Sequence, residues 1–368
     1  EVVESGIIKV RAGKLDFDGE QMHYSGEDIE IAGEHIILAT GSKPLIPGFI
    51  DPKNPFIVSS NRLIAIGELP ETLVIVGGGV IGIEFATIFS NLGSKVTIIE
   101  LMDRILAGMD AEVSAEITRL MEANGVAILA GHEVKSIDQG VIRVTSAESG
   151  ETFEIESKAI LIAVGRQAVI NEEMLQKLNV EYTRRGVTVN DHMQTTCPNV
   201  WAIGDATGKS ILAHVGIQQG LVCAENVMRR PGEPLREMDY EVVPAVVYSI
   251  PEIVSVGSVP QNLHGVSVFK VPFAVNLRAR IEEYDDGFIK VWVRKNRIIA
   301  AQAIGHNVSE IMQELANMIA LKTPLNEVAE IIHAHPTYAE ITRSVLEYAL
   351  GRHVDFYLKE PGAALPVA

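Results

Sequence analysis

Cysteine is nearly missing. The 368-residue chain has two, Cys197 and Cys223, and their separation suits neither a C-x-x-C redox pair nor a zinc site. Both are expected to be reduced thiols packed as small apolar residues, and no metal is expected. Basic residues are also short: 31 Lys and Arg face 48 Asp and Glu, a net charge of -17. Binding a polyphosphate needs a positive surplus on one face, which argues against nucleic acid as a partner. No apolar run approaches the roughly 18 residues that cross a bilayer, and no basic and apolar leader opens the chain. A membrane partner is therefore not expected, and a cytoplasmic location is. Internal repeats and low-complexity tracts are absent too.

What the chain has is apolar content, 47% of its residues, enough for two or three cores. It opens on Glu1 with apolar alternation at 7–11 and 29–37, read as strands of a small antiparallel unit closed by Ala39-Thr40-Gly41-Ser42. This reads as the middle of a domain, so a preceding segment is expected. A loop with Pro47, Pro52 and Pro55 leads to a linker, Glu68-Leu69-Pro70. Then come a strand at 72–76, a glycine turn, a helix at 80–91 and a strand at 95–100, a right-handed βαβ half. A helix at 111–124, a strand, a hairpin through 146–150 and a strand at 159–164 follow. The stretch 172–190 is mixed, a short strand at 200–203 ends at Gly204-Asp205, and a helix begins near His214. From Tyr240 onward the pattern predicts strands at 243–248, 266–271, 288–293 and 298–304, then helices at 309–321, 325–332 and 337–350, an α+β arrangement.

Gly77-Gly78-Gly79-Val80-Ile81-Gly82 fits G-x-G-x-x-G. In that motif Gly77 makes the tight turn, Gly79 lets backbone approach a pyrophosphate, and Gly82 packs helix against strand. The turn follows a predicted strand and opens a predicted helix, and Glu100 ends the next strand 21 residues after Gly79, which specifies a dinucleotide site. A carboxylate there accepts the adenosine ribose hydroxyls and repels a 2′-phosphate, so NAD is expected rather than NADP. Arg104, between Asp103 and Asp110, reads as a solvated surface charge.

Together with this turn, four stretches resemble the flavoprotein pyridine nucleotide-disulfide oxidoreductases, most of all the dihydrolipoyl dehydrogenases. They are Ala39-Thr40-Gly41, Ala163-Val164-Gly165-Arg166, Trp201-Ala202-Ile203-Gly204-Asp205, and His335-Pro336-Thr337 with Glu340. The resemblance implies an α/β two-dinucleotide-binding-domain flavoprotein with a Rossmann-like NAD domain, a partial FAD domain and an α+β C-terminal dimerisation domain. The segments would be 1–66 and 171–238 for FAD, 67–170 for NAD and 239–368 for dimerisation. It further implies cofactor contacts at Thr40, Gly41, Gly165 and Arg166, with Asp205 holding the FAD ribityl chain. Leu212, Ala213 and His214 would start a helix whose amides face the flavin. In the nucleotide helix, Val80 and Ile81 would line NAD, and Glu84 would pair with a lysine beside the nicotinamide.

The resemblance also implies that His335, oriented by Glu340, is the base for dithiol oxidation. The partners would be a second copy of the chain and a lipoyl-bearing protein or small dithiol. Thr337 and Glu340 additionally spell a T-x-x-E capping box. His333 lacks a third ligand at metal spacing. The chain departs from the family pattern at Gln167-Ala168-Val169, where x-Pro-Asn is usual, and at Gln219, where Glu is usual. Residues 1–368 contain no second G-x-G-x-x-G and no C-x-x-x-x-C. The redox-disulfide segment is thus expected to be lacking, with a separate N-terminal fragment as a further partner. The tail Gly362-Ala363-Ala364-Leu365 carries no cysteine. Besides the dehydrogenase, a pyridine nucleotide transhydrogenase and a non-redox NAD-binding dimer remain open.

Overall fold

The computed structural model describes residues 14–17, 22–25 and 33–352. The strand expected at 7–11, the first four residues of that at 29–37, and the tail at 362–365 lie outside those residues. The chain divides into two compact units, Glu1–Lys43 with Arg166–Asp239, and Pro44–Gly165 with Tyr240–Ala368.

The second unit holds a five-stranded parallel sheet in the order Ile57–Val58, Ala159–Ile162, Thr72–Val76, Lys95–Glu100, Ala127–Ala130. Its central strands are apolar runs because both faces are covered. Side chains alternate between two cores, as period-two geometry requires. Leu73, Ile75 and Leu161 pack with Ile83, Phe89 and Ile117 of the helices. Val74, Val76 and Ile160 pack instead against Val134, Ile142 and Val144 of a three-stranded antiparallel layer. The helix Val80–Asn91 occupies the span the sequence predicts, and Ala111–Ala123 ends one residue before its predicted limit.

The same unit carries an antiparallel sheet in the order Ala245–Val247, Glu252–Gly257, Arg297–Gly305, Phe288–Arg294, Ser267–Pro272. The strand Glu252–Gly257 is not among those predicted; Pro251 precedes it and Gly257 is its last residue, and Ile253, Val254 and Val256 are buried in the core. Helices Val308–Leu321 and Glu340–Ala349 cover the sheet. The helix predicted at 325–332 stops at Val328. Ile331 and Ile332, inside the predicted span, are 55% and 91% exposed.

In the first unit, Lys14–Phe17 pairs antiparallel with Met22–Ser25, Ile36–Leu38 parallel with Val200–Ala202, and Arg166–Ala168 with Ser42–Pro44. The helix Ala213–Val227 buries Val215, Gln219, Val222 and Cys223. Burial raises the Cys223 thiol to about 11, so little thiolate exists at neutral pH. Cys223 should resist iodoacetamide in the folded chain and react after denaturation. Peptide mapping by mass spectrometry checks this, and full labelling in the native state would contradict it.

Among the described residues no helix is long and apolar enough to cross a membrane, and no group of three or more acidic, His or Cys side chains could hold a metal ion.

Candidate nucleotide and acid/base sites

The glycine turn is built by exclusion. Gly77 has φ +111, and a Cβ there would lie 2.5 Å from the Ala163 carbonyl oxygen. A Cβ at Gly82 would lie 2.0 Å from the Gly77 oxygen. Gly79, by contrast, has nothing within 4 Å of its Cβ position. It begins a helix whose first turn has no side-chain cap, leaving amides that suit a pyrophosphate. Sequence reasoning missed Gly78, which fills an unspecified place in the motif. Its Cβ would meet the Ile105 side chain at 2.6 Å, and its N–H donates to Glu100 Oε2 at 2.5 Å.

Glu100 is also held by the Met102 N–H, which donates to Oε1 at 2.8 Å. The carboxylate is therefore oriented at the strand end, with lone pairs remaining for hydroxyl donors. Arg104 is the solvated surface charge only in part, its Nη1 donating to Asp103 Oδ1 at 3.3 Å. Its side chain is 37% exposed, its Nη2 donates to the Ala107 oxygen at 3.1 Å, and its Nε is buried without a partner. The guanidinium folds back on its own loop. Val80 is 41% exposed and Ile81 half-buried, both in the first helical turn. Glu84 Oε1 accepts the Tyr248 N–H at 3.0 Å, tying the nucleotide helix to the antiparallel sheet.

A second group lies in the first unit. Arg166 donates through Nε to Ser42 Oγ and through Nη2 to the Ser42 oxygen, both at 2.8 Å. The Ser42 hydroxyl therefore has its own hydrogen for Asp205 Oδ2, at 2.5 Å. Ser42, which the sequence offered only as a turn residue, is the link that orients Asp205. Thr40 Oγ1 donates to the Val169 oxygen and the Val169 N–H to the Gly41 oxygen, each at 2.9 Å. These bonds use only the backbone of residue 169, so the departure from Asn leaves them in place. Gln219 Oε1 accepts the Gly204 N–H at 2.6 Å, a bond that a carboxylate at 219 could equally accept. Leu212 precedes the helix without capping it, and Ala213 and His214 are exposed in its first turn. In the second unit, Gly165 turns at φ +129 and accepts the Leu45 N–H at 3.0 Å. An oriented carboxylate and a helix start lacking a side-chain cap fit the ribityl chain and ring carbonyl of a flavin.

The third group is the acid/base pair. His335 Nδ1 lies 2.8 Å from Glu340 Oε1; a carboxylate accepts, so Nδ1 carries the hydrogen and Nε2 keeps a lone pair. The His335 side chain is 63% exposed and that of Glu340 21%. Glu340 Oε2 accepts the Thr337 N–H at 2.8 Å. The capping box is only half formed: the helix begins at Glu340 rather than 337, and Thr337 Oγ1 donates to the Ala334 oxygen. That shift frees Glu340 to face His335. Buried Asn276 holds the loop through the Thr337 oxygen at 3.1 Å. Tyr338, next in the loop, is pushed up to about 12 by burial and then by its bond to Glu282, and stays a phenol at neutral pH. His333 turns inward, with Nε2 3.3 Å from Glu314.

These features define a class: a dinucleotide-binding α/β protein with an α+β C-terminal domain. The chain belongs to the pyridine nucleotide-disulphide oxidoreductase family, whose model matches residues 2–220 and whose dimerisation-domain model matches 243–345. The expected fold class is thereby borne out. The chain is 37% identical over 333 residues to a dihydrolipoyl dehydrogenase of Geobacillus stearothermophilus, an alignment covering 88% of this chain and 70% of that one. A dihydrolipoyl dehydrogenase of Halobacterium salinarum is 36% identical over 331 residues, covering 87% and 69%. Among solved structures, the HOCl-induced flavoprotein disulfide reductase RclA from Escherichia coli matches with a TM-score of 0.85 at 26% identity, covering 94% of this chain and 80% of that one. The family is one of oxidoreductases that use FAD and a pyridine nucleotide.

Proposed function

We propose that this chain works in an NAD-dependent dihydrolipoyl dehydrogenase, oxidising a lipoyl dithiol to its disulfide and passing the electron pair to NAD. The observation that carries this is the hydrogen bond between His335 and Glu340. In this reading the division expected from the sequence, 1–66 and 171–238 for FAD, 67–170 for NAD and 239–368 for dimerisation, is kept except that 44–66, whose Ile57–Val58 joins the parallel sheet, go with the nucleotide segment and 166–170 with the FAD segment. The assembly is a homodimer. Bound flavin would supply the two-electron step between sulfur and nicotinamide. The chain's own residues do the rest. Glu340 keeps the imidazole in the Nδ1–H form, so that Nε2 takes the thiol proton as the dithiol attacks a disulfide. The resulting imidazolium is stabilised by the adjacent carboxylate and later returns its proton to water. Arg166 and Ser42 aim Asp205 at the ribityl hydroxyls, and Gly77, Gly79, Gly82 and Glu100 seat the nucleotide.

A transhydrogenase of the same family needs no base for a dithiol, and the oriented His335 favours the dehydrogenase over it. The test is dihydrolipoamide-dependent formation of NADH by the protein carrying this chain. Hydride exchange between nucleotides without dithiol turnover would overturn the reading.

Glu100 also sets a nucleotide preference. The chain should bind NADH at least about tenfold more tightly than NADPH, on the order of 1.4 kcal/mol, because a 2′-phosphate would meet the carboxylate. Titration calorimetry checks this, and equal affinities would remove NAD from the proposal.

A further inference from the structure

The segment between Glu100 and Asp110 backs the nucleotide turn. Ile105 is fully buried in the space a Gly78 side chain would take. The Leu106 N–H donates to the Gly78 oxygen at 2.8 Å, and Ser114 Oγ donates to the Ile105 oxygen at 2.6 Å. Glu100, Gly78 and this segment are thus one hydrogen-bonded piece.

The far end of the segment is held from another domain. The Asp110 N–H donates to Gln302 Oε1 at 2.9 Å, and Gln302 Nε2 donates to Ser255 Oγ at 3.0 Å. Asp110 Oδ1 accepts the Glu112 N–H as helix cap and also Lys290 Nζ at 2.9 Å. Lys290 reaches Glu112 Oε2 at 2.6 Å, and Lys270 bonds the other oxygen of Glu112. Strand register explains the convergence: Ser255 lies opposite Gln302, Gln302 opposite Lys290, and Lys290 opposite Lys270. One polar row runs across four strands, with Lys290 8% and Gln302 2% exposed.

Such a row is a poor device for stability. Neighbouring lysines repel, a cation at a helix N-terminus opposes the dipole, and a buried ion pair seldom outweighs its own desolvation. Its effect is geometric. Burial pulls Lys290 down, but its bonds to Asp110 and Glu112 outweigh this and raise it. Burial likewise pushes Glu112 up, and its bonds to Lys270 and Lys290 bring it below the usual carboxylate range.

We propose that Lys290 and Gln302 are positioning residues for the adenosine half of NAD(H): by fixing Asp110 they fix residues 101–109, and through them Gly78 and Glu100. This rests on reading the glycine turn as an NAD site. The test titrates this chain, as wild type, Lys290→Met, Lys290→Arg and Gln302→Met, with NADH and with ADP-ribose, which keeps the adenosine half and lacks only the nicotinamide. Lys290→Met and Gln302→Met should each weaken both ligands by the same factor, about tenfold, and Lys290→Arg should recover most of the loss. A purely structural effect would lower the fraction of binding-competent chains and leave Kd unchanged. If Lys290→Met does not fold, Asp110→Asn, which keeps a capping side chain, should weaken both ligands several-fold. Wild-type Kd in the folded variants would overturn the positioning role alone. Failure of the wild type to bind NADH would overturn the NAD reading, and this inference with it.

Discussion

Replacing His335 by Gln, in the protein carrying this chain and the family's redox disulfide, should slow dithiol oxidation about a hundredfold or more. NADH-driven flavin reduction should stay near its wild-type rate. Gln can fill the space and bond Glu340, but it cannot take a proton at neutral pH, and only the sulfur half-reaction releases one. The geometry supports a base rather than a structural histidine: Nδ1 is committed to Glu340 at 2.8 Å and the ring is 63% exposed. Stopped-flow measurement of the two half-reactions separates the cases. Equal slowing of both would mean that His335 supports the fold rather than the chemistry.

Gly82→Ala should abolish measurable NADH binding and lower the melting temperature, whereas Gly79→Ser should cost binding and leave stability nearly intact. At Gly82 the new carbon would sit 2.0 Å from the Gly77 oxygen and 3.1 Å from its carbonyl carbon. Neither can yield without moving the helix off the strand, a strain of about 1–3 kcal/mol by the usual cost of overpacking. At Gly79 the corresponding space is open, and Ser is a competent first residue for a helix. Its side chain would enter the volume left for the pyrophosphate. Parallel thermal melts and NADH titrations decide this. A Gly82→Ala protein that binds normally would sever the turn from the nucleotide.

The nucleotide unit was legible in the sequence because it is written locally. Strand, glycines, helix and Glu100 lie within 29 residues, 72–100, and each position carries a steric or charge requirement. His335 and Glu340 were legible for the same reason, being five residues apart. What the sequence hid depends on distance or on competing local bonds. Ser42 orients Asp205 from 163 residues away, and Lys290 meets Asp110 across 180; no periodicity links such pairs. Gly78 was hidden by its neighbours, since two motif glycines flank it. Thr337 looked like a helix cap, but its hydroxyl found the Ala334 oxygen, a local choice that spacing does not reveal. The strand Glu252–Gly257, which follows a proline and ends on a glycine, was missed, although the three strands that follow it were found.

The apolar core of the nucleotide sheet has a consequence for recombination between relatives. Val247, Ile253, Phe288 and Ile304 of the antiparallel sheet belong to the same cluster as Leu73, Ile75 and Ile83, and Glu84 bonds the Tyr248 amide across the same boundary. The two domains are therefore not interchangeable cassettes. A chimera that joins this nucleotide domain to a relative's dimerisation domain inherits half of one core and half of one polar row. Crossovers that keep both halves from one parent should yield soluble, NADH-binding proteins far more often than crossovers near residue 240.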